Sequence, residues 1–265
     1  MRGRVLLKER LARHYKRTKW HVYRWTRNSQ GIVSSSEQGY KIRLHFSDVS
    51  APHIYFGYYE PEETLQVCQL VSSGMIAMDI GANIGYFMLL MANRVGPEGR
   101  VYGLEPNPLL FTRLKENVDL NPGLSDGRVV LHQAALGARD EEAEFFCPIL
   151  GHEGVGGLKN TNRAPLSETI RVPVRTMDGF LAAERIDRLH FIKMDVEGGE
   201  LDVLRGAQRA LEELRPTILF EAFEANTAPY GYRVFEILSY LEQRGFIVKQ
   251  VGMGQNFLAT PKERV

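Results

Sequence analysis

Met75–Gly85, M-I-A-M-D-I-G-A-N-I-G, is the stretch whose reading decides the fold. A short apolar run from Met75 to Met78 ends in Asp79 and passes through small residues. From Ile84 to Ala92 the apolar pattern resumes with the spacing of a buried helix. The whole reads as strand, tight turn, helix. Gly81 and Gly85 let the backbone bend or a ligand approach, and the amides opening the helix point into the turn. Asp79 is then expected at the carboxyl end of the strand, where open parallel α/β sheets bind ligands. The G-x-x-x-G spacing lacks the extra glycine of the G-x-G-x-x-G dinucleotide fingerprint. An acid at the mouth also suits a cationic ligand better than a pyrophosphate.

A second strand, Val101 to Leu104, ends in Glu105. Pro106-Asn107-Pro108 opens a helix to about Leu120, with Asn107 as N-cap and Pro108 at the first helical position. A carboxylate at the end of this strand accepts hydrogen bonds from both hydroxyls of a ribose. Asp79, the glycine turn and Glu105 together resemble the S-adenosylmethionine site of class I methyltransferases.

Outward from this centre, 265 residues with 44% hydrophobic content predict one domain with a sizeable core and some decoration. The net charge of +1 hides an asymmetry: residues 1–30 hold ten of the 33 Lys and Arg and one of the 32 acids, so they carry +9 and the remaining 235 residues −8. Within those thirty residues Leu7, Leu11, Tyr15, Val22 and Trp25 recur at near-helical spacing among arginines and lysines. That predicts a basic amphipathic arm suited to an anionic membrane surface or RNA, or to packing on its own domain or a second subunit. Cys68 and Cys147 have no metal or C-x-x-C spacing, which fits reduced thiols in a cytoplasmic protein. No apolar run approaches the roughly 20 residues needed to span a bilayer, and the N-terminus lacks the apolar stretch of a signal peptide. A location in the cytoplasm, peripheral on the inner membrane surface through the arm, is therefore expected.

The expected organisation is the arm at 1–30, a small hairpin and an aromatic, irregular segment at 31–56, and the main domain at 57–265. A helix is expected from Pro61 to about Val71. Downstream, Arg128–Ala134 reads as a third strand whose end, Gln133 and Ala134, should reach the adenine edge. Ala143–Phe146 and Thr169–Val174 read as further strands around a loop, 148–168, rich in glycine. A loop of that length is a substrate-contacting lid or a plain insertion. Leu189–Met194 is a fourth apolar strand, followed by a helix to about Leu214. Thr217–Phe220 ends at Glu221, Tyr232–Arg244 is helical, and Gly245–Val251 with Asn256–Thr260 forms a terminal antiparallel pair. Strand-helix alternation of this kind predicts a doubly wound sheet.

With D-I-G-A-N-I-G-Y at Asp79–Tyr86, G-L-E-P-N-P at Gly103–Pro108, V-R-T-M-D-G-F at Val174–Phe180 and F-I-K-M-D-V-E-G-G-E-L-D-V-L-R-G-A at Phe191–Ala207 in view, the sequence resembles the FkbM family of S-adenosylmethionine-dependent methyltransferases. The resemblance implies a seven-stranded, mostly parallel Rossmann-like sheet of order 3-2-1-4-5-7-6 with helices on both faces. It implies methyl transfer, in most cases to an oxygen of a sugar, glycan, lipid or secondary metabolite. The cofactor residues it implies are Asp79, Gly81, Ala82, Asn83, Gly85, Glu105, Pro106, Asn107, Gln133, Ala134 and Asp195. Met177-Asp178-Gly179 stands where Leu-Asp-Asp or Leu-Asp-Glu is commoner, in a segment expected to be structural.

Methyl transfer to a hydroxyl needs the nucleophile, methyl and sulfur in line and a group to take the proton. Asp195 is the first candidate base, Lys193 its same-face partner and Glu221 the second candidate. The acids at 195, 197 and 221 have no histidine beside them, and no metal is expected. Two further readings stand beside this one. A nucleic-acid methyltransferase would suit the arm, but base-amino enzymes place N-P-P-[YF] where this chain has D-V-E-G. A non-catalytic module that binds S-adenosylmethionine while docked on a membrane or partner would keep the same cofactor signature.

Overall fold

The computed structural model describes Thr18 and residues 31–36, 39–124 and 127–262. The basic arm expected at 1–30 therefore lies outside the described residues, apart from Thr18, as does part of the turn expected around Glu37.

Among the described residues the strands are β1 (Ile32–Ser35), β2 (Lys41–Leu44), β3 (Ile76–Ile80), β4 (Arg100–Leu104), β5 (Val129–His132), β6 (Ala135–Leu136), β7 (Glu141–Pro148), β8 (Leu166–Arg175), β9 (Phe191–Met194), β10 (Thr217–Glu221), β11 (Phe246–Val251) and β12 (Asn256–Pro261). Seven of them form one sheet in the order β11-β12-β10-β9-β3-β4-β5. Read from the β5 edge and numbered within the sheet alone, this is 3-2-1-4-5-7-6, as expected. All pairs are parallel except those made by β12. Because β3 and β9 are covered on both faces, they are buried along nearly their whole length and apolar except at Asp79 and Lys193. One core layer packs the helices Pro61–Leu70, Tyr86–Val95 and Pro108–Asp119 against the sheet, and the other packs Met177–Ala183, Glu200–Arg205 and Val234–Gln243.

The helix Pro108–Asp119 begins as the sequence predicts, with the Asn107 side chain accepting from Leu109 and Leu110 N–H. Its Asn117, and Asn121 just beyond its end, accept from the backbone N–H groups of Arg43 and Lys41 at 2.6 and 2.7 Å. Spaced four apart, they satisfy the outer edge of β2, which pairs with β1 on its other side.

Three elements differ from expectation. The stretch 48–59 contains a short helix, Ala51–Phe56, closed by Gly57 in the left-handed conformation, with Pro52 in its first turn. The helix after β9 does not run unbroken to Leu214: it stops at Arg205 and resumes as a π-turn at Ala210–Leu214. Gly206 marks the break, because a Cβ there would lie 2.1 Å from the Gly137 carbonyl oxygen. Finally, β7 and β8 pair with each other, outside the main sheet, in a three-stranded sheet of order β6-β8-β7. Asp178 accepts from the N–H groups of Arg209 and Ala210 and so has the structural role expected of its segment.

Candidate active site

At the carboxyl ends of β3, β4 and β9 lies a cleft of about 630 Å³, partly open to solvent. The β3 turn forms its floor. Gly81 has φ +82°, and a Cβ there would sit 1.9 Å from the Asp195 carbonyl oxygen, so only glycine lets β3 and β9 approach this closely. Asn83, next in the turn, is left-handed with φ 50°.

Glu105 is fixed at the end of β4. Its Oε2 accepts from Asn83 N–H and its Oε1 from Asn107 N–H, both at 2.9 Å. Burial pushes its carboxyl up to about 7, and these two bonds pull the other way. Each oxygen keeps a free acceptor direction at the cleft. Ile80, Leu110, Ala134, Leu136 and Phe145 supply apolar walls, and Glu153, Gly154, Gly156 and Gly157 come from the glycine-rich loop. That loop is pinned: Glu153 pairs with Arg113 at 3.3 Å, both buried, and accepts from Gly151 N–H at 2.7 Å.

The other end of the cleft is acidic. Asp195 and Glu197 line it with Tyr230. Lys193 Nζ donates to Asp195 Oδ2 at 2.9 Å, its side chain 4% exposed against 23% for Asp195. The ammonium also lies 5.0 Å from the centre of the Phe87 ring. Burial pulls the Lys193 ammonium down, but the charges of Asp195, Glu60 and Asp79 outweigh it and hold the group well above its usual range. Glu197 is left-handed with φ 56°, pairs with Arg163 and accepts from Asn226 Nδ2 at 2.8 Å. Burial and then the charge of Asp195 push it up to about 9. Glu221 is pushed up to about 8, first by Asp195 and then by burial. Glu60, half-buried with φ 40°, approaches from the other side, ahead of the helix Pro61–Leu70. Strained non-glycine backbone of this kind gathers at functional sites. Among the described residues, no group of three His, Cys, Asp or Glu side chains is placed to hold a metal ion.

Of the residues expected at the cofactor, Gly81, Asn83, Glu105, Pro106, Ala134 and Asp195 line the cleft. The others do not. Asp79 is corrected most: β3 runs on to Ile80, leaving Asp79 inside the strand, 1% exposed and opposite Lys193 of β9. Burial pushes its carboxyl up to about 7. Ala82 is buried and Gly85 is the left-handed N-cap of the next helix. Asn107 is spent on capping, and Gln133 is exposed. Lys193 and Glu221 are not among the residues that line the cleft, Lys193 being buried and Glu221 half-buried beside it. Sequence reasoning missed Glu153, Leu136, Phe145 and Tyr230 as wall residues. The glycine run at 151–157 was the one signal for part of that set.

Residues 79–248 match the family profile described as the Methyltransferase FkbM domain. The chain belongs to this FkbM methyltransferase family. Like other FkbM proteins it is a methyltransferase whose cofactor is S-adenosylmethionine. Among curated relatives, Methyltransferase 1 of Beauveria bassiana is 30% identical over 64% of this chain and 72% of the relative. The hexuronic acid methyltransferase AglP of Haloferax volcanii is 26% identical over 54% of each. A crystal structure of methyltransferase FkbM from Methylobacillus flagellatus is 18% identical with a TM-score of 0.47, over 80% of this chain and 54% of that one. The cleft has groups that fit the cofactor of the FkbM family: a buried carboxylate at Glu105, bare backbone at Gly81, apolar walls, and carboxylates at the end that would face a cation. Among the described residues no helix is long and apolar enough to cross a membrane.

Proposed function

We propose that this FkbM protein transfers a methyl group to a hydroxyl oxygen of a sugar-like or otherwise hydroxylated small molecule, with Asp195 accepting the proton. The observation that carries this is the Lys193–Asp195 pair: the cation is sealed while the carboxylate it holds reaches the cleft. Bound S-adenosylmethionine supplies an electrophilic methyl on a sulfonium that departs as a neutral thioether. The chain's residues do the rest. Glu105 and Asn83 fix the nucleoside end, and Asp195 orients the acceptor hydroxyl and takes its proton as the oxygen–methyl bond forms. Lys193 is a positioning residue that holds Asp195 in place through its 2.9 Å bond to Oδ2. Glu221, pushed to about 8, is held largely protonated near neutrality and becomes a competent second base only at higher pH. Carboxylates crowded at one end suit an acceptor with several hydroxyl donors, and the hexuronic acid named for the Haloferax relative is of that class.

The test is Asp195→Asn with radiolabelled cofactor and a panel of sugar, glycan and lipid acceptors. Turnover should fall by about 10² to 10⁴ with cofactor affinity little changed. Near-normal turnover would remove Asp195 from the chemistry, and a matching loss of cofactor affinity would make it a binding residue.

A further inference from the structure

Four of the eleven large apolar side chains left exposed among the described residues, Val49, Ile149, Leu150 and Leu166, lie on segments that are joined to one another beside the cleft. Backbone hydrogen bonds tie them into one surface. Val49 N–H donates to Gly151 O at 3.3 Å and Ile149 N–H to Pro165 O at 2.9 Å, while Leu166 pairs with Pro148 at the end of the β7–β8 ladder. Gly151 packs on Ser47, where a Cβ would come 2.6 Å from the carbonyl oxygen. Leu150 is 66% exposed and Val49 56%. Asp48 accepts from the Ser50 backbone and hydroxyl, and Glu153 pairs with Arg113 and accepts from Gly151 N–H, while Glu168 on β8 is exposed.

The chain reaches this surface directly from its basic segment. Residues 1–30, with ten Lys and Arg and one acid, join the domain at Gly31. Gly31 packs on the Leu44 carbonyl, three residues before Ser47. The point where the polybasic sequence enters the described structure, Gly31, is thus on the same chain-to-chain path, Leu44 to Ser47 to Gly151, as the apolar residues. Each signal alone gives weak membrane association, and stable peripheral binding takes two.

We propose that the Val49–Ile149–Leu150–Leu166 surface inserts into the interfacial layer of an anionic membrane while residues 1–30 engage its headgroups. The patch lies on the loop whose next residues, Glu153 to Gly157, wall the cleft. Docking therefore sets the front of the cleft against the headgroups. That the methyl acceptor is membrane-borne rests on the methyl-transfer reading above; binding itself does not.

Sedimentation of the full chain with sucrose-loaded vesicles tests this, comparing equal parts phosphatidylcholine and phosphatidylglycerol with phosphatidylcholine alone. At about 0.05 M salt the protein should pellet with the anionic vesicles and be released at about 0.5 M, where the Debye length falls to roughly 4 Å. Val49→Ser/Ile149→Ser/Leu150→Ser should lower partitioning about tenfold or more at low salt. Its S-adenosylmethionine affinity and thermal melt should stay unchanged, because all three side chains are exposed. Leu150→Trp should raise partitioning, a gain that misfolding would not produce. Wild-type protein left in the supernatant, or a triple variant within about twofold of wild type, would overturn the proposal. Retention on single-stranded RNA without vesicle binding would overturn it in favour of a nucleic-acid arm. No methyl acceptor enters these measurements, so their failure and that of the Asp195 test are separate outcomes.

Discussion

Glu105→Gln probes the cofactor assignment most directly, because the wild-type carboxylate is fully used. Its two oxygens accept from Asn83 and Asn107 N–H at 2.9 Å each. A carboxylate offers about four acceptor directions, so two remain, and in the proposed assignment they would receive the two ribose hydroxyls. Glutamine preserves the volume but has a single acceptor oxygen. Its NH2 must face the amide of Asn83 or Asn107, or a ribose hydroxyl, and at least one charge-assisted bond is lost on binding. At about 1.5 to 3 kcal/mol, S-adenosylmethionine affinity should drop about ten- to a hundredfold. A second signature follows from protonation. Burial raises the wild-type carboxyl to about 7, and the ribose hydroxyls donate best to the ionised form. Wild-type affinity should therefore weaken between about pH 8 and about pH 6, by up to roughly tenfold for each pH step below the pKa, and the glutamine variant should weaken less. Titration calorimetry with S-adenosylmethionine at both pH values measures each effect. A glutamine variant within about twofold of wild type at the higher pH, or a wild type indifferent to pH, would refute the assignment.

Other expectations concern the scaffold around this residue. Gly81→Ala places a methyl 1.9 Å from the Asp195 carbonyl oxygen at φ +82°; the cost should exceed about 3 kcal/mol, seen as a lowered thermal midpoint and lost cofactor binding. Arg113→Leu leaves Glu153 buried without its partner. A loss of about 3 to 5 kcal/mol is expected in chemical denaturation, and a reversal on adding Glu153→Leu would show that the unpaired charge is responsible. Apo-protein stability should fall as pH rises from about 5 to about 8. Asp79, Glu105 and Glu200 are raised to about 7 and Glu221 to about 8 in the folded chain. The folded state thus binds more protons than the unfolded one across that window, and every tenfold gain in a group's proton affinity on folding is worth about 1.4 kcal/mol. A thermal midpoint higher at the alkaline end would contradict this.

The local patterns were legible because they act over a few residues. The turn at Gly81–Gly85, the acid at Glu105 and the Asn107-Pro108 helix start each follow from short-range chemistry, and the sheet order followed from the family resemblance. Asp79 was misplaced because the point where a strand meets solvent depends on how far its neighbours extend, and β9 buries it through Lys193. Ala134 reached the cleft and Gln133 did not, since one residue of difference reverses the side chain's direction beyond a strand end. Tyr230 and Phe145 come from segments with no spacing relation to the turn, so only tertiary packing brings them in. Glu60 and Glu197 gave no sign of their left-handed backbone, for glutamate lacks the local preference that Asn83 shows.

The separation of β6-β8-β7 from the main sheet divides the molecule by how freely its parts can change. Floor residues such as Gly81 and Glu105 sit on the ends of strands buried on both faces, where a one-residue insertion would shift the register of the central sheet. The front wall hangs from the β7–β8 hairpin, between Pro148 and Leu166, which are paired at its neck. For such a segment a doubling in length adds only about 0.6 kcal/mol of closure entropy. Insertions within residues 149–165 that keep Glu153 on Arg113 and Arg163 on Glu197 should therefore cost little in folding while reshaping the front of the cleft. A graft of this segment between two such enzymes would carry acceptor preference with it and leave the nucleoside half as it was.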